Sequence, residues 1–385
     1  MTILAPLPRK RAKRIVYIGT PEIAVAPLQA LVAEGFVIEL VVTGIDKRRG
    51  RGSQTTANPV KTAAIALGIP VSHDINDVLR LNSDGLLGVV VAFGNIISQE
   101  ILQHVPMINI HYSALPRWRG AAPVERAILS GDVTTAVCII QVAEQLDAGD
   151  VLASTPCTIQ EDDSVETLRN RLGQLALPLL INICNHGVTE QIAQTGEVVV
   201  ARKITAQDLA INWSSSSAQI LRQIRVGNAF TFFDGKRFKI HEASKSSVNL
   251  ALGTISVHDG SVLVGASEGS VQLVTVQPEG KPRVLATDWA RGARLSDTST
   301  FSDRYPAHMN QSSASSHDGR LLGHVEQFDF DRGLGMIWSS GQEYLFHCAE
   351  IVDGTRDINN GASVSIVVAH LFGHVEASEI EKLPN

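Results

Sequence analysis

Nowhere does this chain run apolar for long enough to cross a bilayer as a helix, so a helical membrane protein is not expected. Cysteine is scarce. Four residues, Cys138, Cys157, Cys184 and Cys348, are scattered through 385 without metal-ligand spacing, and they read as buried thiols in a reducing cytoplasm rather than bridges or zinc ligands. A basic excess is missing too: 33 Lys and Arg face 39 Asp and Glu, a formal net charge of −6, which at first tells against an RNA substrate. No glycine-rich fingerprint follows the Gly19-Thr20-Pro21 turn, which is therefore not read as a nucleotide site. The opening Met1 to Pro8 has no charged leader before its apolar part and does not read as a secretory signal.

What is present is an ordinary globular composition, 44% hydrophobic and 19% charged, in a chain too long for one comfortable core. Short apolar strands at Ile15 to Ile18, Val37 to Thr43, Leu86 to Phe93 and Met107 to Ile110 alternate with helical stretches at Ala26 to Ala33 and Val60 to Leu67. That alternation predicts an α/β domain with a parallel sheet wrapped by helices. From about residue 204 the pattern changes to short alternating stretches, including Phe230 to Phe233, Phe238 to His241 and Val271 to Val276, which predict a small β-barrel.

Two segments carry chemistry. Asn109 and His111 stand two apart in a strand, so their side chains leave on one face. The run Ser113-Ala-Leu-Pro-Arg-Trp-Arg-Gly120 has no period and reads as a loop able to wrap a ligand. Asp147 lies in a second turn, Leu146-Asp-Ala-Gly-Asp150. An amide, an imidazole and a carboxylate suffice for acyl transfer to an amine: Asn109 and a protonated His111 would hold the oxyanion, and Asp147 would hold the imidazole charge and relay protons. By residue type alone the same groups are equally turn formers or satisfied polar side chains.

The run Ile108 to Pro123, the Leu146 to Asp150 segment and the opening Arg14-Ile-Val-Tyr-Ile-Gly-Thr-Pro21 together resemble the folate-dependent formyltransferases, and within them the methionyl-tRNA formyltransferases, over about Arg14 to Thr300. The resemblance implies a Rossmann-like parallel-sheet domain at 14–203 and an OB-like, tRNA-binding β-barrel at 204–304. It implies catalysis by Asn109, His111 and Asp147, with Ser113, Ala114, Leu115, Pro116, Phe93, Gly94, Asn95 and Ile96 at the folate site. The substrates implied are 10-formyltetrahydrofolate and charged initiator tRNA, with no metal. The family's Ser-Leu-Leu-Pro reads Ser113-Ala114-Leu115-Pro116 here, and the basic loop Asp46 to Gln54 lacks a proline that relatives often carry before the glycines.

Charge distribution then matters more than its sum. Basic residues gather in 1–13, read as a mobile basic tail, and again at Lys47, Arg48, Arg49, Arg51 and Lys61, which the resemblance makes tRNA contacts. Without it, they are a solvated loop. The resemblance also makes Arg222, Arg225, Lys236, Arg237, Lys281 and Arg283 candidate phosphate contacts in the second domain.

Residues 305–319, rich in Ser, Asn and His, read as a linker. Beyond it, 320–385 resembles cold-shock domains through Gly323, Phe328, Gly333, Gly335, Ile337, His347 and Ile351, which implies a second small β-barrel. Gln327, Leu334, Met336 and Leu345 stand where that family stacks bases on aromatics, leaving Phe328, Phe346 and His347 as residual candidates for nucleic acid. The whole reads as a cytoplasmic, monomeric transferase of translation initiation. Alternatives are a formyltransferase acting on a small amine, a formyl-folate hydrolase, and a non-catalytic RNA-binding protein.

Overall fold

The structure, a computed structural model, describes residues 4–48, 55–296, 298–302, 320–329, 334–353, 355, 358–371 and 374–383. Arg49, Arg51, Gly333 and the 305–319 linker lie outside them. No helix among the described residues is long and apolar enough to cross a membrane.

The first domain contains β1 (Arg14–Gly19), α1 (Val25–Ala33), β2 (Val37–Val42), β3 (Lys47–Arg48), β4 (Thr55–Thr56), α2 (Pro59–Ala66), β5 (Val71–Ser72), β6 (Leu86–Val91), α3 (Gln99–His104), β7 (Met107–His111), β8 (Arg117–Gly120), α4 (Pro123–Ser130), β9 (Thr134–Gln141), β10 (Val151–Thr158), α5 (Val165–His186) and β11 (Val199–Ala201). Its main sheet has the order β10-β9-β7-β6-β1-β2-β5. The five strands from β7 to β5 are parallel, as the alternation predicts, whereas β9 runs antiparallel to both neighbours. β6 is buried at every residue, the signature of a strand covered on both faces. β10 was not foreseen: it is an edge strand, half exposed, and tolerates Pro156 there.

Residues 4–12 are not the mobile tail that their charges suggest. Ala5, Leu7 and Ala12 are buried, and the strap is held by Ala5 N–H to Leu102 O at 2.9 Å, Val188 N–H to Pro8 O at 2.8 Å and Ala12 N–H to Cys184 O at 2.9 Å. The Arg11 guanidinium lies 4.3 Å from the Phe36 ring centroid. Ala5 and Leu7 before the basic run and Ala12 within it anchor the segment, so charge content alone misleads.

Helix α5 begins with a capping box in which Ser164 and Thr167 exchange bonds. Beside it, Asp163, its side chain 4% exposed, accepts from Gln160 N–H at 2.7 Å, the Thr167 hydroxyl at 3.0 Å and Arg171 Nη1 at 3.0 Å. Burial pushes its carboxyl up, but these donors outweigh burial and hold it below its ordinary value. A carboxylate with a depressed folded pKa adds stability that is complete above the unfolded value, about 3.9, and lost as pH falls through the folded one. Asp163→Asn is expected to destabilise this domain at neutral pH by about 1–3 kcal/mol. It should also flatten the acid-side loss of stability, as measured by denaturant titrations at stepped pH.

The second domain holds α6 (Ala206–Leu209), α7 (Ser217–Val226), β12 (Phe230–Phe233), β13 (Lys236–Ser246), β14 (Ile255–His258), β15 (Ser261–Gly265), β16 (Ser270–Pro278), β17 (Val284–Leu285) and α8 (Ala286–Gly292). The strand path β12-β13-β16-β15-β14 is open, and residues 300–302 lie between its ends, bridging Thr254 and Phe232. Its core joins Phe238, Trp289 and Phe301 to Ile220 and Ile224 of α7.

The last domain is a closed five-stranded barrel, β18 (Leu321–Asp329), β19 (Leu334–Ser339), β20 (Gln342–His347), β21 (Ser363–Leu371) and β22 (His374–Lys382), in the order β18-β19-β20-β22-β21. Gly335 is needed there: a Cβ would stand 2.3 Å from the Phe346 ring. Phe346 is 2% exposed and Phe328 stacks on it at 5.7 Å and 8°, packed against the same core. Phe346 is therefore interior packing rather than the base platform that the sequence suggests, whereas Phe328 covers it and stays partly exposed.

Candidate active site

β7 delivers Asn109 and His111 to one face, and the turn after β9 brings Asp147 to them from 36 to 38 positions away in sequence. Asn109 Nδ2 donates to Asp147 Oδ1 at 3.4 Å, and His111 Nδ1 lies 3.5 Å from Asp147 Oδ2. Both contacts are long for hydrogen bonds, which leaves Nδ1 and the second amide hydrogen able to turn toward a ligand. On its other side the ring is fixed: His111 Nε2 is 2.9 Å from the Trp118 carbonyl oxygen. Only an N–H can serve a carbonyl, so a neutral His111 carries its proton on Nε2 and presents a bare Nδ1 to Asp147. A second proton, taken at Nδ1, would create an imidazolium facing a carboxylate.

Asp147 is itself held. Gly120 N–H donates to its Oδ2 at 2.9 Å, and the Gln194 amide donates to the carbonyls of Asp147 and Gly149 at 2.8 Å each. Its backbone has a φ of +49°, and Ala92, which lines the same cavity, is also left-handed at +48°, as is Trp118 at +67°. Gly149 makes the turn possible, because a Cβ there would stand 1.8 Å from the Gln141 carbonyl oxygen. Burial pulls the Arg119 guanidinium below its ordinary value, with the Asp147 charge acting against it. No motif or spacing points to Gln194, which is remote in the chain. Gly120 and Gly149 were visible as loop glycines, but their close approaches to backbone were not.

The three groups open into a cavity of about 310 Å³ lined also by Phe93, Gly94, Asn95, Ile96, Ile97, Val142 and Leu146, and by His347 from the barrel. Of the residues predicted for the folate site, Phe93 to Ile96 line this cavity. Ser113, Ala114, Leu115 and Pro116 do not. Ser113 is fully buried and its hydroxyl donates to Arg117 O at 2.7 Å, while Leu115 packs on the cluster of Ala136, Cys138 and Ile140. Ser113 turns inward and the loop presents the Trp118 carbonyl to His111, whereas Ala114 is exposed and Leu115 and Pro116 are partly buried.

A second cavity of about 910 Å³ runs beside α1, α4, α5 and α7 and meets the first at Ala92, Tyr112, Ala121 and Pro123. The Tyr112 hydroxyl is buried there without a hydrogen-bond partner, and burial pushes its pKa up. Arg225, a phosphate candidate by sequence, lines this cavity. Arg237 instead lies 3.7 Å from the centroid of the Phe230 ring.

In the basic loop, β3 and β4 pair Lys47 with Thr56 and Arg48 with Thr55. Lys61 is not offered to solvent as a phosphate contact would be. Its Nζ meets Asp46 Oδ2 at 2.5 Å, and the side chain is 23% exposed. It fastens the loop's base.

The formyl transferase family matches residues 13–183, and its C-terminal domain matches 203–294. The chain is 33% identical over 299 residues to a methionyl-tRNA formyltransferase of Thermodesulfovibrio yellowstonii, covering 74% of this chain and 97% of that one. It is 35% identical over 300 residues to the one from Corynebacterium diphtheriae, covering 72% and 96%. In fold it is similar to an N-formyltransferase of Helicobacter canadensis solved with folinic acid and dTDP-3-aminofucose (TM-score 0.53, 17% identity, 69% of this chain and 99% of that one). It is also similar to HypX of Aquifex aeolicus solved with tetrahydrofolic acid (0.52, 14%, 72% and 47%).

Proposed function

The chain belongs to the methionyl-tRNA formyltransferase family, and from that premise we propose that it passes the formyl group of 10-formyltetrahydrofolate to the α-amine of methionyl initiator tRNA at Asn109, His111 and Asp147. The observation that carries this assignment is the convergence of these three side chains in one cavity, with the Asn109 amide and the His111 Nδ1 edge held to Asp147 only by contacts of 3.4 and 3.5 Å.

The neutral amine attacks the formyl carbon and forms the new C–N bond. The oxygen becomes an oxyanion, held by the Asn109 Nδ2 hydrogen and by the proton on His111 Nδ1. Asp147 balances the imidazolium and takes the proton lost by the amine through water. The bond to N10 of the folate then breaks, and that nitrogen gains a proton as it leaves. The folate ring system occupies the 310 Å³ cavity, against Phe93 to Ile96. The larger cavity, which meets it at Tyr112, gives the aminoacyl end a separate approach, so donor and acceptor need not compete for one entrance.

The basic loop carries the tRNA part of the reading. Counter-ion release makes affinity fall with salt in proportion to the phosphates neutralised. Changing Lys47, Arg48, Arg49 and Arg51 together to alanine should weaken tRNA binding at low salt and flatten its salt dependence, with donor binding kept. A salt slope equal to that of the unaltered protein would move tRNA contact elsewhere.

The direct test is transfer of labelled formyl from 10-formyltetrahydrofolate to methionyl initiator tRNA, with free methionine and unacylated tRNA as controls. Formylation confined to the charged tRNA, rising with pH through neutrality as the amine loses its proton, is the expected result. None, from folded protein that binds folate, would favour a small amine as the acceptor.

A further inference from the structure

The two family matches end at residue 294, so the barrel of β18 to β22 lies outside them. Resting on the reading of the 310 Å³ cavity as the donor site, we propose that this barrel forms part of it, with His347 a donor-contacting residue at the cavity's outer wall.

Alternation along β20 sets the direction. Tyr344 and Phe346 point into the barrel core, so Leu345 and His347 face outward. Leu345 is 61% exposed, but His347, two residues on, is half-buried and lines the same cavity as Asn109, His111 and Asp147. The difference between these neighbours arises from what the barrel rests on. Ile96, a cavity-lining residue of the catalytic domain, packs against the barrel's apolar cluster of Val325, Ile337, Phe346 and Ile351. A second point of attachment lies past β11, where Arg202 Nη1 is 3.8 Å from Glu379 Oε2. The barrel therefore touches the 93–97 loop from behind and the cavity through one imidazole.

The chemistry suits the donor more than the tRNA. The cavity that His347 lines also carries the apolar side chains of Ile96, Ile97, Val142 and Leu146. His347 Nδ1 lies 3.8 Å from Cys348 Sγ, and the imidazole presents a flat, polar-edged ring to a planar heteroaromatic ring and its aryl amide. A phosphate would instead meet Glu144 and Asp147, which line the same cavity and repel it.

The experiment uses the full chain. Binding of 5-formyltetrahydrofolate, which reads the donor site without transfer, would be measured by calorimetry for the unaltered protein, His347→Ala, His347→Asn and Leu345→Ala. Steady-state KM values for donor and charged tRNA would accompany it. Loss of one contact of this kind corresponds to a rise in Kd and donor KM of about threefold to tenfold in His347→Ala. His347→Asn should recover part of that, and Leu345→Ala should match the unaltered protein. KM for charged tRNA and kcat at saturating donor should stay as they were. Equal donor binding in His347→Ala, an equal loss in Leu345→Ala, or a rise confined to the tRNA KM would each overturn the proposal. If the unaltered protein itself bound no folate, the donor-site reading would fall first.

Discussion

Asn109→Ala is expected to lower formyl transfer about a hundredfold to a thousandfold, the usual cost of removing one preorganised oxyanion donor, while binding of charged tRNA is preserved. The amide is well placed for a loss in rate rather than in folding. Asn109 is half-buried, its side chain donates to Asp147 Oδ1 at 3.4 Å, and alanine leaves the strand pairing of β7 with β6 and β9 in place. The comparison to make is single-turnover transfer at saturating donor beside filter binding of charged tRNA. Transfer within tenfold of the unaltered protein would remove Asn109 from the oxyanion site, and a matching loss of tRNA binding would reassign it to the acceptor.

Asp147→Asn should cost as much or more, about a hundredfold to ten-thousandfold, because it deletes the charge that steadies an imidazolium and the base that receives the amine's proton. Asparagine keeps the size and can still accept from Gly120 N–H, so the turn held by Gln194 should survive. What changes is the proton traffic: His111 Nδ1 would face an amide in place of a carboxylate, and the protonated ring would lose its counter-charge. The signature is therefore a fall in kcat with donor binding intact. A variant that transfers normally would show that the carboxylate only supports the turn.

Much of the first domain was legible because its strands are short, apolar and separated by glycines, which leaves few alternatives to a sheet covered by helices. β1, β2, β6 and β7 fall close to their predicted positions. β10 escaped because an edge strand has only one partner and needs no continuous apolar run. The strap at 4–12 escaped because its charges are obvious, whereas the small residues that bury it are not.

The sequence by itself determined which chemistry this chain can attempt. An amide and an imidazole two apart on a strand must share a face, and with the carboxylate of Asp147 they make a set suited to a formyl carbon. Tertiary structure decided where those atoms stand and what surrounds them. Gly149 lets a turn collapse onto Gln141 and carry Asp147 across to β7, and Gln194 locks it from a distant loop. None of Ser113 to Pro116 lines the cavity, and a histidine from a separate barrel does. Periodicity reports which face of an element is buried, but contacts between remote elements depend on packing that no local pattern encodes.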